Sequence, residues 1–390
     1  MRIPLIVLLS LSGLGNSCSM GAFPALLPEL GAAARLPDWE LGILAGALGF
    51  ARMVTDLPAG LLIARRLHAA LVVGPLAMAA GALVLTSATT FPSLVAGRTL
   101  MGVGHAITMV ASLTAILHFY GGRRLGAALN ALEFSAMIGV LGGAGLAAVL
   151  PRGLTWSTVL LIACAPQVIG LALVPAILAA LRPGPTGTPA PTGAAPAETS
   201  ARGRRAFVPL AFIAGALIAV TYTAVEQFLI PLRGSRELGL DRSGIARLFM
   251  VIQTADILAV LPLGVLADRL HPAGVLGGVA LTLAAGAALA GLGGIATMAL
   301  GCAIFGIGMA GWMIPLSVLR RQTPPARVAW RTALYRVGVD GGMFLGPFLG
   351  GFVGAGRLGA LAAVLGAALA LVGIVLLLLL TRGPARARPA

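Results

Sequence analysis

Long apolar runs, each broken only by a few polar residues, recur along the whole chain and are separated by short polar turns. Twelve such runs are present, over residues 3–27, 39–64, 70–88, 92–119, 126–150 and 155–181, then 207–231, 243–266, 273–291, 293–319, 331–354 and 357–381. A helix rising about 1.5 Å per residue crosses the roughly 30 Å of a bilayer core in about 20 residues, which nearly every run attains. A membrane β-barrel would instead show alternating segments of about ten residues. The pattern predicts an all-α membrane protein of twelve transmembrane helices.

One break is unlike the others. Residues 182–206 are rich in Pro, Gly, Ala and Thr and predict a flexible linker without a fold of its own. The chain therefore divides into a first six-helix bundle (1–181), a linker (182–206), a second six-helix bundle (207–382) and a short tail (383–390). The two bundles repeat at a constant offset of 204 residues. Leu57-Pro58-Ala59-Gly60 matches Leu261-Pro262-Leu263-Gly264; Gly97, Gly102, Gly104 and Ala106 match Gly301, Gly306, Gly308 and Ala310; Arg123 matches Arg327, and Gly142 matches Gly346. Pseudo-symmetric halves of this kind are a carrier architecture, with the binding site between them.

Composition supports the membrane reading. The chain is 58% hydrophobic and 10% charged, with a mean hydropathy of +1.00, whereas soluble domains carry about 25% charged residues. Abundant Gly and Ala suit close helix packing. The net charge of +15 comes entirely from Arg, since Lys is absent. With the N-terminus inside, 17 of the 27 Arg fall on the inner side, 6 on the outer side and 4 within the membrane. This asymmetry predicts cytoplasmic termini in a plasma membrane, the inner membrane of a bacterium, and explains the positive charge without a nucleic-acid partner. The run from Ile3 to Leu27 is read as the first spanning helix, not a cleaved signal. Cys18, Cys164 and Cys302 all lie within apolar runs and predict unpaired packing residues.

Three local motifs carry a resemblance. Gly264-Val265-Leu266-Ala267-Asp268-Arg269-Leu270 follows the eighth run, and the first half offers Gly60-Leu61-Leu62-Ile63-Ala64-Arg65-Arg66, with Ala64 in place of the acid. Arg98-Thr99-Leu100-Met101-Gly102-Val103-Gly104 opens the fourth run, and Gly346-Pro347-Phe348-Leu349-Gly350-Gly351 lies in the eleventh. Together with the repeat, these resemble the major facilitator superfamily, and in particular its proton-coupled efflux members. The resemblance implies a secondary carrier working by alternating access, with a small-molecule substrate and protons as coupling ion. It makes Gly264, Asp268 and Arg269 a gating loop, and it packs the second helix against the eleventh and the fifth against the eighth.

Nine formal charges fall at membrane depth, where each is costly by roughly 2.5–3.5 kcal/mol and usually faces a protein interior or a wet pathway. Arg52 and Asp56 are four apart on one helix face, as are Arg336 and Asp340. The second helix runs inward and the eleventh outward. Packed together, they permit two reciprocal bridges, Arg52–Asp340 and Asp56–Arg336, which form an expected interdomain latch; the competing reading has each pair neutralise itself within its own helix. Arg98, His105 and Ser112 are spaced by seven and make a polar stripe. Arg98 is expected to meet an anionic group and His105 to titrate near neutrality; a neutral, structurally bonded His105 is the alternative. Glu226, one turn after Tyr222 and next to Gln227, is the expected proton carrier. Glu133, about 10 Å deep, and Asp256, about 15 Å deep at 1.5 Å per residue, are expected to share a proton, unless Asp256 pairs with Gln253. Asn16, Ser17 and Trp312 are further candidates for lining a cavity, and Arg247 is expected to snorkel to water.

The chain has no His-Glu-x-x-His, no Gly-x-Ser-x-Gly and, lacking Lys, no phosphate-binding loop ending in Lys. It is not expected to be an enzyme, to hold a metal or cofactor, or to be driven by ATP. The expected function is proton-coupled export of a small organic or amphipathic compound by a monomeric carrier. Uptake of an organic anion is the alternative, and a non-transporting membrane sensor is the alternative of another class.

Overall fold

The computed structural model describes residues 4–120, 123–181, 207–321, 323 and 325–381. The expected linker at 182–206 and the tail at 383–390 lie outside the described residues. Within them the secondary structure is helical, without strands. The helices are α1 (Leu5–Ala34), α2 (Asp38–Ser87), α3 (Phe91–Phe119), α4 (Arg123–Val149), α5 (Trp156–Cys164), α6 (Gln167–Ala180), α7 (Phe207–Ala224), α8 (Ile230–Arg236), α9 (Arg242–Arg269), α10 (Pro272–Gly291), α11 (Ile295–Met309), α12 (Ile314–Arg321), α13 (Pro325–Val353) and α14 (Leu358–Thr381).

Several boundaries differ from the apolar runs, each for a local reason. The second and third runs form one helix, α2, bent at Arg66 (φ −137°, ψ 45°), so the expected loop after Gly60 is a kink. The sixth run is split into α5 and α6 at Ala165–Pro166, where proline withholds its N–H. The seventh continues past 231 to Arg236 through a π-helical turn at Val225–Leu229, just before Pro231. The tenth is broken between Met309 and Ile314, beside Pro315. Taken through these breaks, eleven spans among the described residues are long and apolar enough to cross a membrane. The remaining predicted span lies in α13, which is 29 residues long but is diluted by Arg331, Arg336, Asp340 and its glycines.

Glycine sets the closest helix approaches. A Cβ at Gly21, Gly139 or Gly143 would run into the backbone of Val140, Leu14 or Cys18, which welds α1 to α4. Helices from the two sides of the linker meet chiefly as α2 against α13 and α4 against α9. In the first of these, Gly42, Gly46 and Gly49 lie against the α13 backbone from Met343 to Gly351.

The start of α1 and the end of α14 lie at one end, here called proximal; the opposite end is distal. The apolar core divides unequally. One cluster, with Leu8, Leu9, Ala59, Leu71, Ile116 and Leu132, belongs only to the proximal end of the first half. The other unites the distal end of the first half with most of the second half. The halves are therefore joined distally and parted proximally.

Candidate functional site

Between the halves lies a cavity of about 180 Å³. α1, α3 and α4 line one side with Ser17, His105, Ser112 and Glu133; α7, the π turn and α9 line the other with Tyr222, Glu226, Gln253 and Asp256. Asn16 and Trp312 also border it. The apolar wall is adaptable, for Met20, Met109, Met137, Met309 and Met343 face it, five of the chain's twelve methionines.

The π turn is the local device that positions Glu226. It is buried at 2% exposure. Gln253 Nε2 donates to its Oε1 at 3.3 Å, and its Oε2 has no partner among the described residues. π turns inside α-helices are frequent at functional sites. Gln253 thus serves Glu226, not Asp256, and Asp256 Oδ1 is left without a partner. Asp256 lies within electrostatic reach of both Glu226 and Glu133. The three acids form a descending series rather than the isolated pair and lone acid expected from sequence. At 1.5 Å per residue, and measured from helix midpoints, Glu226 stands about 7 Å distal of centre, Asp256 near centre and Glu133 about 5 Å proximal. Tyr222 feels Glu226 and Asp256 and hydrogen-bonds Gln227, which does not itself line the cavity.

On the proximal flank, Arg52 Nη2 lies 2.9 Å from Asp340 Oδ1. Arg336 places Nε at 3.1 Å and Nη2 at 2.5 Å from Asp56 Oδ2. Both bridges join α2 to α13. The alternative of separate neutralisation within each helix is not what forms.

Arg98 does not line the cavity. It is 2% exposed, with its guanidinium 3.6 Å above the Phe23 ring, and Nε and Nη1 have no hydrogen-bond partner. Its seven-residue spacing to His105 keeps it on the same helical face, but at its depth the halves are closed and that face meets α1. Asn16 borders the cavity, yet its amide is buried, has no partner, and sits beside Ser12 and Gly170 on the α6 side. Gly264, Asp268 and Arg269 end α9 at the exposed proximal surface, and among the described residues neither Asp268 nor Arg269 forms an ion pair. Arg247 lies one turn inside the distal end of α9. Cys18, Cys164 and Cys302 are buried and free.

The distal closure was not foreseen. Arg242, which falls between the seventh and eighth apolar runs, is 4% exposed. Its Nη1 reaches Glu29 Oε2 at 3.0 Å and Leu154 O at 3.2 Å, and its Nη2 reaches Pro151 O at 2.7 Å.

A family model described as Major Facilitator Superfamily matches residues 5–319. The chain belongs to this superfamily. Solved structures agree in fold. A POT family transporter in complex with a thioalcohol-conjugated peptide superposes with a TM-score of 0.79 at 12% identity, covering 97% of this chain and 96% of its own. A peptide transporter POT bound to sulfate gives 0.71 at 15% identity, covering 98% and 97%. The nucleoside transporter NupG gives 0.74 at 12% identity, covering 96% and 99%. Among the curated proteins, none matches the chain in sequence. The protein is thus a multi-pass membrane transporter of the superfamily type, with its cavity between two six-helix bundles.

Proposed function

We propose that the protein exports a small amphipathic organic cation in exchange for protons. The supporting observation is the charge balance of the cavity. The chain carries +15 overall, yet three carboxyls, Glu133, Asp256 and Glu226, face the cavity. Arg52, which shares the lining, is engaged by Asp340. Two carboxyl oxygens, Glu226 Oε2 and Asp256 Oδ1, are buried without partners. A buried carboxyl without a partner favours a proton or a cation, and either satisfies it at the other's expense. Tyr222, Trp312 and Tyr335 line the cavity, aromatic side chains of the kind that attract an ammonium group, and the methionines adapt to varied apolar bodies.

In this reading the protein is a carrier and not an enzyme. It works as a monomer in the plasma membrane of a bacterium, with both termini cytoplasmic, so the proximal opening faces the cytoplasm. Residues 1–181 and 207–382 are its two moving bodies. Glu226, Asp256 and Glu133 carry the proton and the substrate charge, with His105 and Tyr222 beside them. The Arg52–Asp340 and Asp56–Arg336 bridges latch the bodies, and Gly264, Asp268 and Arg269, which lie on the last turns of α9 and not in a loop, form the proximal gate. A second reading, uptake of an anionic or peptide substrate, is favoured by Arg52 at the cavity wall and by the peptide named with the POT neighbour.

Proteoliposomes test both. Phenyltrimethylammonium is a fixed-charge probe, so a pH gradient acts only on the protein. The expected result is probe movement opposite to the proton gradient, abolished by Glu226→Gln. Movement of benzenesulfonate with the protons, and none of the cation, would overturn the export reading in favour of uptake.

A further inference from the structure

The first turn of α9 plugs into the segment that follows α4. Besides the three contacts of Arg242, Ser243 Oγ donates to Ala148 O at 2.8 Å. Asp241 caps α9 by accepting from Gly244 N at 2.8 Å and also meets Arg152 at 2.6 Å. The last carbonyls of a helix lack intrahelical donors and carry the negative end of its dipole, so a cation and a hydroxyl supplied from outside complete them. Here the donors for the end of α4 come from the opposite half of the molecule.

The first turn of α2 makes the corresponding contact in the other direction. Asp38 Oδ2 accepts from Ala355 N at 2.9 Å, just beyond α13, and Asp38 Oδ1 accepts from Arg236 Nη1 at 2.6 Å. The numbering relates the two contacts. Asp38 and Arg242 are 204 residues apart, and so are Pro151 and Ala355. That is the offset of the internal repeat. Each half therefore sends the first residue of one helix onto the same exit segment of its counterpart, with the polarity reversed: a cation donates to carbonyls in one, and a carboxylate accepts an N–H in the other.

We infer that these contacts are twin clasps forming the distal gate, and that Arg242 and Asp38 are the positioning residues that bias the transporter toward its distally closed state. Neither touches the cavity. Both must part before the distal ends separate, because each spans the two halves. Arg242 is the stronger, since it is buried with a carboxylate and two carbonyls to satisfy, whereas Asp38 is at the rim and open to screening.

Spin labels on Ala33, at the end of α1, and Ala296, at the start of α11, report the separation by pulsed dipolar spectroscopy in the full-length protein with its three cysteines replaced. The expected result for Arg242→Ala is a rise of at least about tenfold in the ratio of long to short distances, the loss of charge-assisted bonds. Asp38→Asn is expected to raise it less, about threefold to fivefold, and the double variant by about the product, because both clasps hold the same state. Arg242→Lys keeps the charge but loses the fork over Pro151 and Leu154, and is expected to fall between; being conservative, it also reads the gate if Arg242→Ala folds poorly. Unchanged distance distributions in Arg242→Lys and Asp38→Asn would overturn the inference. So would a double variant no more open than Arg242→Lys alone when that substitution is used.

Discussion

Arg52 and Asp340 meet at 2.9 Å across the junction of α2 and α13, with side chains only 13% and 2% exposed. Asp340 Oδ1 is nonetheless without a well-aligned hydrogen bond, so the contact is charge against charge in a dry setting. Its companion differs. Arg336 makes two hydrogen bonds to Asp56 but is 35% exposed. Salt screens exposed pairs far more than buried ones. A double-mutant cycle on transport with Arg52→Gln and Asp340→Asn is therefore expected to give a coupling of about 1–3 kcal/mol that is insensitive to salt. The cycle on Asp56→Asn and Arg336→Gln is expected to give a smaller coupling that fades between low and high ionic strength. Equal salt dependence in the two cycles would contradict this assignment.

These two bridges were legible in the sequence because they needed little information. Spacings of four fix one helix face, antiparallel directions fix which end meets which, and the resemblance to the superfamily supplied the pairing of the second helix with the eleventh. The membrane placement and the repeat were legible for a similar reason, being periodic signals summed over many residues. The clasps were not. Arg242 pairs with backbone carbonyls at Pro151 and Leu154, which every sequence possesses, and with Glu29, which is not matched to it by any spacing. Arg98 misled for the opposite reason. Its spacing to His105 is real, but a face keeps one neighbour along its length only if the cavity runs that far, and this cavity closes below Arg98. The partner of Gln253 depended on the π turn, which rotates Glu226 relative to a regular helix and has no sequence signature stronger than the nearby Pro231.

Gln253 is the only residue found to donate to Glu226 among the described residues. Gln253→Leu removes that donor and preserves much of the volume. An unsatisfied buried acceptor costs about 1–3 kcal/mol, so proton-driven flux is expected to fall by about tenfold. Adding Glu226→Gln to Gln253→Leu is expected to lower binding of phenyltrimethylammonium by less than it does in the parent protein, since the two residues act as one unit. Strict additivity of the two losses in a binding isotherm would show that Gln253 acts elsewhere.

The α2–α13 junction makes a steric prediction. A Cβ at Gly46 would stand 2.7 Å from the Phe344 carbonyl, and one at Gly42 2.6 Å from that of Pro347. Both neighbours are backbone and cannot swing aside. Gly46→Val therefore forces α2 away from α13 where the halves are closed. The expected outcome is a protein that folds but shifts toward distal opening, read as faster labelling of a cysteine placed at Phe344 by a membrane-impermeant thiol reagent. Gly60, with nothing near its missing Cβ, is the control, and Gly60→Ala is expected to leave the labelling rate unchanged.

Arg98 separates a structural from a substrate role. It is 2% exposed, its guanidinium faces the Phe23 ring at 3.6 Å, and among the described residues no carboxylate pairs with it. A cation held in this way gains from the ring's quadrupole, by about 2 kcal/mol when desolvated, and needs a flat, weakly hydrated head to tolerate burial. Lysine satisfies the charge but not the shape, because its ammonium is compact and strongly hydrated. Arg98→Lys is accordingly expected to lower the thermal midpoint of the detergent-solubilised protein by several degrees, and Phe23→Leu to do the same. Dissociation constants for phenyltrimethylammonium, measured well below either midpoint, are expected to change by less than about twofold, since Arg98 does not reach the cavity. Asp256→Asn should give the reverse pattern, with weaker binding and little loss of stability, because Asp256 Oδ1 has no partner among the described residues. If Arg98→Lys instead weakened binding tenfold at an unchanged midpoint, Arg98 would have to turn into the cavity in a state of the transporter open on the distal side, and the role expected from its sequence motif would return.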